Sequence, residues 1–214
     1  AMLFLLIPIT STVLFFSTDM PEIETPQKAS GVSALLKNKM LWLCVIAIFF
    51  GGAAEMTMTQ WCSAYLEKSM GIPKIWGDLL GMALFALFLG LGRTLYSAKG
   101  KNVSRVLILG SVGAFVCYIT AAVAGNVVVG IIACVFTGFC TSMLWPGTLI
   151  LMEEKFPNPG VTAYALMAAG GDFGGSVSPQ ILGVVVDKVS ESSFALELSN
   201  SLSLTPEQIG LKTG

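Results

Sequence analysis

An all-α integral membrane protein with six transmembrane helices is the fold class that the sequence predicts, on three observations. Charge is scarce: 12% of the 214 residues are Asp, Glu, Lys or Arg, against 54% apolar, and a soluble domain needs about 25% charged residues to cover its surface. The mean hydropathy is +0.78, so most of the outer surface faces something other than water. The apolar residues come in long runs, at 2–16, 40–66, 75–96, 106–124, 127–152 and 161–186. The last five approach or exceed the roughly 20 residues that span a hydrocarbon core as a helix. None alternates with a period of two, which excludes outer-membrane barrel strands.

The first run, 2–16, is apolar from its start, without a basic leader or a small-residue cleavage site. It reads as the end of a span belonging to a longer protein. The one long connector, 17–39, carries Asp19, Pro21, Glu22, Glu24, Pro26 and Lys28 and reads as a polar linker between two bundles. Short polar breaks at 67–74, 97–105, 125–126 and 153–160 separate the later spans. On one side of the alternation lie Lys28, Lys37, Lys39, Arg93, Lys99, Lys101, Arg105 and Lys155, against Lys68, Lys74, Lys188 and Lys212 on the other. Eight against four places the linker in the cytoplasm by the positive-inside rule. Past 187 an external loop is expected. Thr205-Pro206-Glu207-Gln208 then forms a helix start, with a threonine cap, a proline at the first helical position and a glutamine placed for a capping box. This helix has little room before the last residue, so the chain is expected to be truncated at both ends.

Composition excludes several function classes. The formal net charge is −1 and no basic block occurs, so nothing favours a nucleic-acid partner. Histidine is absent, which removes the commonest zinc ligand and any histidine proton relay. Cys44, Cys62, Cys117, Cys134 and Cys140 lie inside apolar runs without a CxxC pair and read as small hydrophobes. No metal or cofactor is expected.

Two carboxylates sit deep within spans. Glu55 is about 18–22 Å from either end of its run at 1.5 Å per residue, and Asp172 lies at a similar depth. A charge at that depth costs roughly 2.5–3.5 kcal/mol, and no lysine or arginine accompanies either acid at its depth in its own helix. Such acids suit proton coupling, or a sodium ion held with backbone oxygens; the alternative is a structural hydrogen bond to a neighbouring helix. Gln60 and Trp61 follow Glu55, and Thr141, Ser142 and Trp145 lie in the span 127–152. An amide with an indole face can hold a neutral polyol. Gly170, Gly171, Gly174 and Gly175 form two ridges of small residues for close helix packing, and Pro179 weakens the helix after them.

This layout resembles the major facilitator superfamily: one helix, a long cytoplasmic linker, five helices and a sixth beginning, equivalent to segments six to eleven plus the start of twelve. Gly92, Arg93, Lys99, Gly100 and Lys101 resemble the family's cytoplasmic loop motif, with Ser97 where the motif has an acid. Gly51-Gly52-Ala53-Ala54-Glu55, Gln60-Trp61, Gly77-Asp78-Leu79-Leu80-Gly81 and Trp145-Pro146-Gly147 resemble the fucose–proton symporter and sugar-carrier branch. The resemblance implies 1–16 as the end of segment six, 17–39 as the inter-bundle linker, 40–187 as the C-terminal bundle and 188–214 as an external loop with the start of segment twelve. It further implies proton-coupled transport of a small sugar-like solute across the plasma membrane, with the lipid bilayer, the solute, a coupling proton and a missing N-terminal half as partners. Segments seven, eight, ten and eleven would line the cavity. A non-transporting receptor or scaffold of the same fold is the alternative, and an integral-membrane enzyme a more distant one.

Overall fold

The computed structural model describes residues 2–18, 36–156, 159–202 and 204–213. Among them no strand occurs and nearly every residue is helical, as the all-α membrane class requires. α1 is Met2–Ser17, mostly apolar, with its described side chains exposed and the Thr10 and Thr12 hydroxyls turned back onto the Leu6 and Pro8 carbonyls, as expected of a helix whose solvent is lipid.

α2 starts at Lys39, where the Asn38 side chain accepts from the Met40 amide at 2.9 Å. It runs to Ala64 and continues as a wider π-helical turn over Tyr65–Ser69. Gly71, at φ 71°, ends it. The Gly71 amide bonds the Glu67 carbonyl and the Ile72 amide bonds the Leu66 carbonyl, both at 3.1 Å, the paired closure that a left-handed glycine permits. α3 spans Lys74–Lys99, with a π-helical stretch at Gly77–Ala83. α4 is Val103–Val123, capped by Asn102, and α5 is Val127–Thr141, capped by Asn126. After a turn at Ser142 and Met143, α6 runs from Leu144 to Lys155. The expected single span 127–152 is therefore broken. Pro146 has no amide, so the Ser142 carbonyl lacks its usual donor four residues on.

α7 is Gly160–Ser190, α8 Ser193–Leu202 and α9 Pro206–Thr213. The region expected as an external loop thus contains a ten-residue helix, and the Thr205–Gln208 capping box forms, with bonds of 2.8 and 3.2 Å. The expected linker falls largely on residues 19–35, outside the described residues.

Among the described residues, four helical stretches are long and apolar enough to cross a membrane: Lys39–Ser69, Lys74–Lys99, Val103–Val123 and, counted across the turn between α5 and α6, Val127–Lys155. α1 is shorter. α7 has the length, at 31 residues, but spends much of it on Gly, Ser and Asp, because it packs on α2 rather than on lipid. That contact is the most extensive in the bundle. A Cβ on Gly174 would run into the Phe49 carbonyl, one on Gly52 into the Gly171 carbonyl, and one on Gly170 would stand 2.9 Å from Val45 Cγ1. Thr57 and Ser178 join the same two helices through their hydroxyls at 2.8 Å.

Two apolar cores lie along α2. One gathers Leu41, Val45 and Ile48 with Met152 and Met167; the other gathers Met58, Cys62 and Leu66 with Phe85 and Cys134. Glu55 falls between them.

Candidate functional site: a charged cavity between four helices

α2 turns Gly52, Glu55, Met56 and Gln60 into a cavity of about 450 Å³. Arg93 enters it from α3, Trp145 from α6, and Gly171, Asp172, Gly175 and Ser176 from α7. Helices α2, α3, α6 and α7 therefore surround it. α4 contributes nothing to its wall.

The most consequential contact is an ion pair. Arg93 Nη2 lies 3.1 Å from both Glu55 carboxylate oxygens, and Arg93 Nε donates to the Ser142 carbonyl at 3.0 Å. The Glu55 side chain is 15% exposed and that of Arg93 43%, so the pair stands at the cavity edge with its acid mostly enclosed. Two expectations are corrected here. Glu55 is not an unpaired acid, and Arg93 is not a loop residue. Side chains on a helix lean toward its N-terminus, so an arginine near the end of α3 reaches back toward mid-span. Gly92 makes room for this: a Cβ there would collide with Ser142 Oγ. Lys99 ends α3, while Gly100 and Lys101 lie in the connection beyond it.

Asp172 faces the cavity with an exposed side chain and, among the described residues, forms no salt bridge. The charged lining is therefore two carboxyl groups and one guanidinium. Gln60 is exposed into the cavity, and the Trp145 indole lies where a Cβ on Gly171 would have to be.

Three expected solute contacts lie elsewhere. Gly52, Glu55, Met56 and Gln60 share one face of α2, and at about 100° per residue Trp61 falls on the opposite one. Its indole donates to the Pro179 carbonyl at 3.1 Å and borders a second, mostly apolar cavity with Cys62 and Cys134. Thr141 is fully buried and donates back to the Thr137 carbonyl at 2.9 Å. Ser142 Oγ donates to the Phe139 carbonyl at 2.7 Å, leaving only its main chain for the site.

Sequence reasoning missed Arg93 as a cavity residue. The signal was present, since Arg93 interrupts the apolar run 75–96, and an arginine inside a span has to find a partner. No curated protein and no solved structure was found to match the chain. The family model of the Major Facilitator Superfamily matches residues 1–179, and together with the helical bundle and its central charged cavity this establishes that the chain belongs to the major facilitator superfamily.

Proposed function

We infer that the chain serves to move a small solute across a membrane, as members of this family do. We propose that it is the C-terminal half of a proton-coupled carrier for a small sugar-like solute, acting by alternating access about a midplane site. The observation that carries this reading is the Glu55–Arg93 pair on the wall of a cavity that also exposes Asp172, Gln60 and Trp145. A carboxylate facing a fixed cation has two stable arrangements, paired when ionised and released when protonated, and a coupling site needs both. Gln60 supplies a donor and an acceptor for hydroxyls, and Trp145 a flat apolar face. Asp172 is the second candidate proton or ion carrier. The lysine and arginine distribution supports a cytoplasmic linker, and the proposed location is the plasma membrane.

The test is uptake of labelled solute by the intact protein in proteoliposomes, with and without a pH gradient. Glu55→Gln resembles the permanently protonated acid. It should abolish accumulation against a gradient while exchange of solute across the membrane persists. Wild-type accumulation by this variant would remove the proton from Glu55 and shift the role to Asp172. No flux in any mode from the wild-type protein, with solute binding retained, would favour the receptor reading.

A further inference from the structure

Arg93 has two partners, and only one of them is the acid. Its Nε donates to the Ser142 carbonyl at 3.0 Å, at the turn between α5 and α6. In an uninterrupted helix that carbonyl would accept from the amide of residue 146, which here is proline. The next bond, from the Gly147 amide to the Met143 carbonyl at 2.8 Å, restarts the helix one residue later. The carbonyl freed by Pro146 is thus occupied by a side chain from a different helix. Gly92 lets α3 come close enough, since any Cβ there would strike Ser142 Oγ and stand 3.2 Å from the Phe139 carbonyl. On the far side of the turn, Leu144 packs on Gly51 of α2, one turn before Glu55.

From this geometry we infer that Arg93 is a positioning residue that latches the α5–α6 break to the charge state of Glu55. The inference rests on Glu55 taking the coupling proton. With Glu55 ionised, the guanidinium is held from both sides and the break is fixed. A proton passed from cavity water to a Glu55 oxygen removes the charge that holds Nη2. The guanidinium then swings toward water or toward Asp172, and the Ser142 carbonyl loses its donor. The groups facing Glu55 are Arg93 from α3 and Asp172 from α7, while α6 presents the non-titrating Trp145 and α2 itself presents Gln60. On the flank, the Tyr118 hydroxyl of α4 donates to the Ala54 carbonyl at 2.7 Å. Chemistry at α2 is thereby reported to a hinge in another helix.

The test is amide hydrogen exchange over residues 142–147 of the intact protein in nanodiscs, corrected for intrinsic rates at each pH. In the wild type, exchange at the break should speed up on acidification by roughly tenfold, the worth of one hydrogen bond to a charged donor. Glu55→Gln should exchange fast at every pH. Arg93→Lys, which offers a point charge rather than a two-sided fork, should also be fast and insensitive to pH. Pro146→Ala restores the missing amide, so it should exchange slowly at every pH, and it answers the concern that a polar substitution merely unfolds the protein. Retained wild-type pH dependence in Glu55→Gln overturns the latch; if that variant has also lost accumulation, the proton-carrier reading stands without it. Wild-type accumulation by Glu55→Gln overturns the carrier reading, and the latch with it.

Discussion

Glu55 and Arg93 stand 38 residues apart in the chain, and each would be costly in the bilayer without the other. Removing one partner of an enclosed pair costs about 3–5 kcal/mol, and the half-exposed guanidinium brings this down to about 1–2 kcal/mol. Arg93→Ala should therefore lower the melting temperature of the detergent-solubilised protein by several degrees. The double variant Glu55→Gln/Arg93→Gln, which leaves no orphan charge, should recover most of the loss. If the double variant is as unstable as the single one, the pair does not contribute to stability and Arg93 matters for another contact. Asp172 makes a useful contrast. It faces the cavity without a salt bridge among the described residues, so Asp172→Asn should leave the stability within about 0.5 kcal/mol of wild type whatever it does to transport.

At the scale of elements, the α2–α7 contact depends on what glycine omits. Gly174 lies against the Phe49 carbonyl so closely that a methyl group forces the helices apart. Gly174→Ala should destabilise by about 1–3 kcal/mol, the usual effect of overpacking, and should weaken transport because the cavity wall moves. Gly90 on α3 is exposed with open space around its Cβ position, and Gly90→Ala should be near neutral. Similar melting temperatures for the two variants would disprove the close-packing account. α9 is held differently, by polar contacts. Lys68 and Glu207 pair at 2.6 Å, and the Gln208 amide reaches the Lys68 and Ser69 carbonyls at 3.3 and 3.4 Å. Both charges of that pair are about half exposed, so it adds little. The Thr205 cap should matter more: Thr205→Ala should cost about 1 kcal/mol, visible as faster amide exchange over 206–213 without a change in global melting.

At the scale of the molecule, the proposed orientation rests on charge asymmetry, which is a property of the loops. A cysteine at Asn102, on a background lacking the five native cysteines, should resist impermeant reagents in intact cells, while one at the exposed Lys74 should react. Rapid labelling at Asn102 would reverse the assignment. The placement of the long helices, the Thr205 capping box and the depth of Glu55 and Asp172 were legible in the sequence. They depend on run length, a rise of 1.5 Å per residue and the chemistry of a few capping side chains, all of them local. Helix partnership was not legible. The rotation of α2 sends Gln60 into the cavity and Trp61 away from it, and an arginine read as part of a loop motif becomes the counter-ion of a mostly enclosed acid. A break appears inside one expected span because a proline frees a carbonyl that a side chain on α3 can reach. These outcomes turn on how closely two helices approach and which faces they present. Glycines far apart in sequence set that distance, so only the folded chain decides which residues meet.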